Sequence, residues 1–184
     1  MSKIIVLNSP PNSGKDTVAD YISSNYGFKK IQYKDFSVKL MLEFFKVEEN
    51  FFYTELYTRE NKEKPSEFFK IKDKFLSPRE ALIYFSEEII KKNFGKDYFG
   101  KLLAKSLKRD TNYIIPDAGF NSEITALLEF FSEDEIYILQ IHRLDCDFSK
   151  DSRDYITLPR IEKQTLLNNG SLKELFNKVD LLFK

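Results

Sequence analysis

The stretch Asn8-Ser-Pro-Pro-Asn-Ser-Gly-Lys-Asp-Thr17 carries residues that could hold a polyphosphate. Successive backbone N–H groups from Asn12, Ser13, Gly14, Lys15, Asp16 and Thr17, converging at the start of a helix, can bind phosphate oxygens, while Lys15 adds a mobile positive charge. The pattern GxxxxGK[ST] is met at two of its four fixed positions, because Ser9 replaces the first Gly and Asp16 the Ser or Thr. In the common pattern that hydroxyl binds the magnesium ion accompanying a triphosphate. A carboxylate is also a hard oxygen donor, so Asp16 is a candidate metal ligand, beside its plainer reading as an acidic first-turn residue favoured by the helix dipole. Thr17 keeps a hydroxyl for phosphate. Pro10 and Pro11 restrict the loop and reduce the entropy lost on ordering it.

Such a loop needs a strand to deliver it and a helix to receive it. Ile4 to Leu7 form a short β-branched run ending at Asn8, which suits a strand buried on both faces of a parallel sheet. Beyond Lys15, the spacing of Val18, Ile22 and Tyr26, with Ala19 beside them, predicts a helix packed on that sheet. Ile31 to Tyr33 read as a second strand leading to Asp35, and a second helix carries Val38, Leu40, Met41, Phe44 and Phe45. This βαβα start predicts an α/β fold with a parallel sheet. Residues 47–76 mix aromatics with dense charge and read as partly helical and mobile. Ser77-Pro78-Arg79-Glu80 is a capping box with Pro in the first turn, opening a helix whose apolar side includes Leu82, Ile83, Phe85, Ile89 and Ile90. A helix over Tyr98 to Leu107 follows, then a third strand over Tyr113 to Ile115, ended by Pro116-Asp117. Asn121 to Phe131 read as helix, Ile136 to Ile141 as the fourth strand and Gln164 to Leu167 as a short fifth. Ser171 and Glu174 form another capping box, before a helix with Leu172, Leu175, Phe176, Val179 and Leu182 on one face.

Composition narrows the classes. The 184 residues suffice for one substantial core. Lys plus Arg and Asp plus Glu number 29 each, so no net field draws the chain to nucleic acid or an anionic membrane, and any basic site must be local. A lone cysteine, Cys146, excludes an internal disulfide framework and a cysteine-rich zinc site and fits a reducing cytosol, so a cytoplasmic location is expected. The four apolar residues after Lys3 are too few for a signal peptide, and no apolar run approaches a membrane span.

Three stretches taken in order, SGKDTVADYI, SPREALIYFSEEIIKKNFGKDYF and IIPDAGFNSEITAL, resemble the deoxynucleoside monophosphate kinases encoded by bacteriophages, whose loop often reads GKDT. The resemblance runs from residue 4 to about 180. It implies a three-layer P-loop kinase fold, a central parallel sheet flanked by helices, as one domain over residues 1–184. Within it the resemblance places a helical acceptor-binding insertion at about 36–108 and a lid at about 143–160. It further implies ATP and Mg2+ as cofactors and a small-molecule nucleotide as substrate, in the cytoplasm of a phage host. The family's SPR segment, GTE-like turn and downstream Arg fall on Ser77-Pro78-Arg79, Ser86-Glu87-Glu88 and Lys91. Its DxRF-like segment falls on Asp117-Ala118-Gly119-Phe120, followed by Glu123; Gly119 stands where the pattern has Arg, so a phosphate contact there is not carried over. IHRLDCDFSKDSRDYI, residues 141–156, resembles the arginine-bearing lid.

Phosphoryl transfer needs positioning and charge neutralisation more than covalent chemistry. Under this reading Lys15 and the loop amides hold the β and γ phosphates, and Asp117 orients magnesium, against a plainer role in a turn. Arg143 and Arg153 close over the transferring group with planar forks, unless they are surface ion pairs. Arg79, at a helix N-terminus, would meet the acceptor's phosphate, and Glu88 and Asp35 its sugar or base. Phe120 and Tyr33 could stack on the base or pack in the core. His142, the sole histidine, reads as a packed residue. Asp35 could instead take a proton from an alcohol, which a phosphate acceptor does not require. A kinase of hydroxyl groups, such as 5-hydroxymethyluracil in phage DNA, is therefore an alternative, with Lys62, Lys64, Lys70, Lys72 and Lys74 as a local groove for nucleic acid. A nucleotide-binding module without transfer activity is a further alternative, against which the paired Arg143 and Arg153 weigh. No membrane partner is expected, and the long helix opened by Ser77 is the candidate surface for a homodimer.

Overall fold

The β-branched run near the N-terminus becomes the middle strand of a parallel sheet. In a computed structural model, which describes residues 3–149 and 151–184, the chain runs through β1 (Ile4–Asn8), α1 (Lys15–Tyr26), β2 (Lys29–Lys30), α2 (Tyr33–Phe45), α3 (Glu49–Phe51), β3 (Lys70–Ile71) and β4 (Lys74–Phe75). It continues through α4 (Pro78–Tyr84), α5 (Lys92–Phe94), α6 (Tyr98–Ser106), β5 (Tyr113–Ala118), α7 (Asn121–Leu128), β6 (Ile136–His142), β7 (Glu162–Leu167) and α8 (Leu172–Asp180). Backbone contacts divide it into two units, Met1–Tyr33 with Gly100–Lys184, and Lys34–Phe99.

The first unit is built on a five-stranded sheet of order β2-β5-β1-β6-β7, parallel throughout. Every residue of β1 is buried, as a strand covered on both faces requires. β5 runs on past the expected stop at Pro116. Val6 pairs with Ile115 and Asn8 with Ala118, so Pro116 and Asp117 together face Leu7 in a bulge that absorbs the proline's missing N–H. The second strand lies at Lys29–Lys30, earlier than the expected Ile31 to Tyr33. Ile31 N still donates to Ile114 O at 3.1 Å, but the Tyr33 amide turns to the Asp117 carboxylate at 3.0 Å and α2 begins there. A carboxylate that receives a first-turn amide satisfies a donor the helix leaves orphaned.

One face of the sheet is closed by α1 and α8: Val18, Ala19, Ile22, Leu175 and Val179 pack with Ile5, Leu7, Leu139 and Ile141. Tyr21 stacks on Phe176 at 4.0 Å and Tyr26 on Phe183 at 3.8 Å, and both hydroxyls donate to Asp180 Oδ1, at 2.8 and 2.7 Å. Leu172, expected on this face, is 56% exposed at the first position of α8, whereas Leu175 and Val179 are buried.

In the second unit the capping box read from the sequence is formed: Glu80 N donates to Ser77 Oγ at 3.2 Å and Ser77 N to the Glu80 carboxylate at 2.8 Å. The helix passes from α4 through a wider π-helical turn, Phe85–Lys91, into α5. Ala81, Leu82 and Phe85 are buried, whereas Ile83, about 100° round the helix from Leu82, is exposed. The charged, aromatic stretch before Ser77 holds α3, a π-helical turn at Phe52–Leu56 and the antiparallel β3-β4 hairpin. Phe52 and Phe69 are fully buried there. Among the described residues no helix is long and apolar enough to cross a membrane.

The hydrogen bonds from Tyr26 and Tyr21 hold the Asp180 carboxyl below its ordinary range. A carboxyl depressed in the folded state contributes stability in full above its unfolded pKa and loses it as pH falls through the folded value. Asp180→Asn should therefore flatten the acid limb of stability between about pH 5 and about pH 2, measured by urea unfolding at each pH.

Candidate phosphate-binding site

The loop leaves β1 at its C-terminal end. Ser13 is buried and its hydroxyl donates to Pro10 O at 2.8 Å, closing the loop on itself. Asn12 and Gly14 take left-handed backbone conformations, with φ of 63° and 94°. Alternation of left- and right-handed residues turns successive N–H groups into one concavity, the geometry that binds anions. Gly14 is also the N-cap of α1 and has no side chain to cap the first-turn amides, in contrast with α4 and α8, which Ser77 and Ser171 cap. It has a second reason to be glycine. A Cβ there would fall 2.5 Å from Nδ2 of the buried Asn168, which donates to Ser13 O at 2.8 Å.

Lys15 follows with its side chain largely covered, 16% exposed, and its ammonium 3.9 Å from the Asp16 carboxylate, which is 62% exposed. Thr17 is exposed on the same turn. Arg143, just after β6, does not stand apart from the loop: its Nη1 donates to Asn12 O at 3.2 Å.

The neighbouring wall is the end of β5. Asp117 receives the Tyr33 amide, and the buried Glu123 receives Gly119 N at 2.9 Å and Phe120 N at 3.1 Å, capping α7 with a carboxylate. Phe120 is half-buried at that corner, and Tyr33 is buried, its hydroxyl pushed well above the ordinary tyrosine value by burial and by the charges of Glu123 and Asp117. Arg153 lies across Gly119. Its Nε and Nη2 donate to the two Asp151 oxygens at 2.9 and 2.5 Å, and this pairing holds Asp151 below the usual carboxylate range, with the Lys15 charge adding to it.

Residues 154–157, within the expected lid, are laid along the strand ends. The Asn8 side chain donates to Ala118 O at 3.2 Å and Asp154 O at 3.1 Å and accepts from Ile156 N at 2.8 Å. Gln140 donates to Ile156 O at 2.9 Å, and Asn121 exchanges two 3.1 Å bonds with Thr157. His142 stacks on Tyr155 with ring centroids 4.3 Å apart, a packed histidine as expected.

The structure thus gathers the Asn12–Thr17 loop, Asp117, Phe120, Arg143 and Arg153 at the C-terminal ends of β1, β5 and β6. Asp35, Arg79 and Glu88 belong to the other unit. Asp35 is an exposed first-turn residue of α2, Arg79 donates to Glu63 at 3.0 Å, and Glu88 pairs with Lys92 on the π-helical turn. Of the lysines weighed as a groove, Lys70, Lys72 and Lys74 are exposed on and beside the β3-β4 hairpin, and Lys74 pairs with Glu80 at 3.4 Å. Three supporting residues escaped the sequence reading. Asn8 carried one signal, a polar residue closing a buried β-branched run; Asn168 and Asp151 carried none, since each earns its place only through contacts made in space.

No family model matches the chain, and no curated protein matches it. Solved structures do. A sugar kinase from Janibacter sp. HTCC2649 superposes with a TM-score of 0.55 at 11% identity, covering 100% of this chain and 95% of that one. Dephospho-CoA kinase from Campylobacter jejuni gives 0.54 at 14%, covering 100% and 96%. A gluconokinase from Sinorhizobium meliloti 1021 gives 0.50 at 12%, covering 99% and 96%. At these identities the likeness is one of fold, and the fold is that of the P-loop kinases: a central parallel sheet flanked by helices.

Asn8→Ala would leave the buried backbone groups of Ala118 and Ile156, and the partly exposed carbonyl of Asp154, without their partner. The expected cost is about 3 kcal/mol in urea unfolding, with residues near 154–157 gaining hydrogen exchange ahead of the rest of the sheet.

Proposed function

We propose that the chain is an ATP-dependent kinase that transfers the γ-phosphoryl group to a nucleoside monophosphate, a deoxynucleotide before a ribonucleotide. The carrying observation is the loop itself: two left-handed residues and an N-cap that offers the first-turn amides no capping side chain stand at the end of the central strand, beside the sheltered Lys15. That the fold is shared with proteins named as kinases supports the same class.

In this reading the Asn12–Thr17 amides and Lys15 hold the β and γ phosphates of ATP, and Arg153 and Arg143 serve the transferring group. Phe120 offers an apolar edge to the acceptor's base. Among the described residues no group of three or more His, Cys, Asp or Glu side chains could hold a metal alone. Magnesium asks for less, one or two carboxylates together with phosphate oxygens and water. The exposed Asp16 carboxylate, beside the loop, fits that demand, with Asp117 orienting the shell. Bound magnesium would supply neutralisation of the phosphate charge.

Asp35 favours a second reading, in which the acceptor is a hydroxyl. It is exposed in the first turn of α2, open to an incoming hydroxyl, and one of the proteins sharing the fold is named a sugar kinase, whose substrates offer hydroxyls. Hydroxymethylated pyrimidine in DNA is the acceptor this reading prefers.

ADP release from MgATP with a panel of deoxynucleoside monophosphates, simple sugars and DNA containing 5-hydroxymethyluracil separates these readings. Stimulation by the monophosphates is expected, with Lys15→Ala reducing it at least about 100-fold and Asp35→Asn leaving it intact. A hydroxyl acceptor would make Asp35→Asn cost about 10²–10⁴-fold. If no acceptor stimulates ADP release, both kinase readings fall.

A further inference from the structure

Arginines that serve phosphoryl transfer are usually long, mobile side chains that lose rotamer freedom when the phosphate arrives. Arg153 is placed differently. Its Nε and Nη2 engage both oxygens of Asp151, at 2.9 and 2.5 Å, and its own backbone N–H donates to the same carboxylate at 3.0 Å, so one side chain fixes both ends of the residue. The pair is sheltered, with the arginine 23% and the aspartate 15% exposed, unlike a solvated surface bridge. The stem beneath the guanidinium crosses Gly119, where a Cβ would collide with Cβ, Cγ and Cδ of Arg153. The backbone beyond it is tied down too: Asp154 N donates to Gly119 O at 3.1 Å, and Asn8 holds Asp154 O.

We infer that Asp151 and Gly119 are positioning residues that aim Arg153 before any phosphate arrives: Asp151 grips one edge of its guanidinium, and Gly119 leaves bare the ground its stem crosses. This rests on the kinase reading above. The fork to Asp151 uses two of the five guanidinium N–H donors; on the kinase reading the other three serve the transferring phosphate. Asp151 also lies in the field of Lys15, and the charges of Asp117 and Glu123 bear on Arg153. Gly119 accordingly acts through what it lacks. The guanidinium that crosses the end of β5 is supplied by a segment 34 residues further along the chain.

The test is a double-mutant cycle read with the acceptor that stimulates the wild-type chain. Asp151→Asn should lower kcat by about 10–100-fold and weaken ATP binding roughly tenfold, and should cost nothing further in the Arg153→Ala background. Added guanidinium ion should restore turnover to Arg153→Ala and fail to restore it to the double variant. Additive losses, or rescue that does not need Asp151, overturn the proposal, because either means Asp151 acts on stability alone. Should Asp151→Asn lower the urea midpoint, Arg153→Lys, which keeps the cation and cannot form the fork, carries the same test. A loss equal to that of Arg153→Ala supports the proposal, and wild-type turnover overturns it. If the wild-type chain turns over no acceptor, the kinase reading alone has failed, and the cycle is then read on ATP affinity by calorimetry. There a roughly tenfold weakening by Asp151→Asn, absent in the Arg153→Ala background, supports the positioning role, and equal affinity overturns it.

Discussion

One buried amide organises the sheet end at which the Asn12–Thr17 loop, Arg143 and Arg153 are gathered. Asn8 terminates the central strand and is fully buried, yet its side chain bonds Ala118 of one neighbouring strand and Asp154 and Ile156 of the segment laid over the other. A buried side-chain amide is stabilising only when its partners are present, because each unpaired polar group carries its full desolvation cost. Satisfied on both its nitrogen and its oxygen, Asn8 makes the ends of β1 and β5 and residues 154–156 one surface. The Asn12–Thr17 loop leads off from that surface beyond Ser9, and Arg153 is carried on it.

The local electrostatics follow from the chain's balance of charge. With equal numbers of acidic and basic residues there is no global positive field to hold a polyphosphate. Under the proposed function, attraction of a polyphosphate would come from backbone dipoles and a few placed cations. Lys15 is near Asp16, Arg153 is forked to Asp151, and Arg143 leans on the carbonyl of Asn12. Each cation is therefore oriented by an oxygen of its own region, which sets direction at the expense of net field.

Residues within a few positions of one another were read well. The capping boxes at Ser77 and Ser171 form because their donors and acceptors lie three residues apart, within the reach of one helical turn. The helix after Lys15 buries Val18, Ala19 and Ile22, the stripe its spacing promised. Reading failed where a distant partner decided the local structure. Tyr33 left the second strand for α2 because Asp117, 84 residues on, receives its amide. β5 continued through Pro116 because β1 tolerates two residues against one. Arg153 was legible as an arginine in a lid-like stretch, but its seat on Gly119 and its grip by Asp151 depend on a close approach no spacing records.

By itself the sequence determined the strand, loop and helix around Gly14-Lys15 and the α/β class, since hydrophobic period, capping residues and the conformational licence of glycine act over a turn or two. Only the tertiary structure decided which polar side chains close the site. Asn168 reaches Ser13 across 155 residues and Asn8 reaches Ile156 across 148. Bonds of that span form because the parallel sheet brings its strand ends to one edge. There a buried polar group must find a partner or forfeit its hydration.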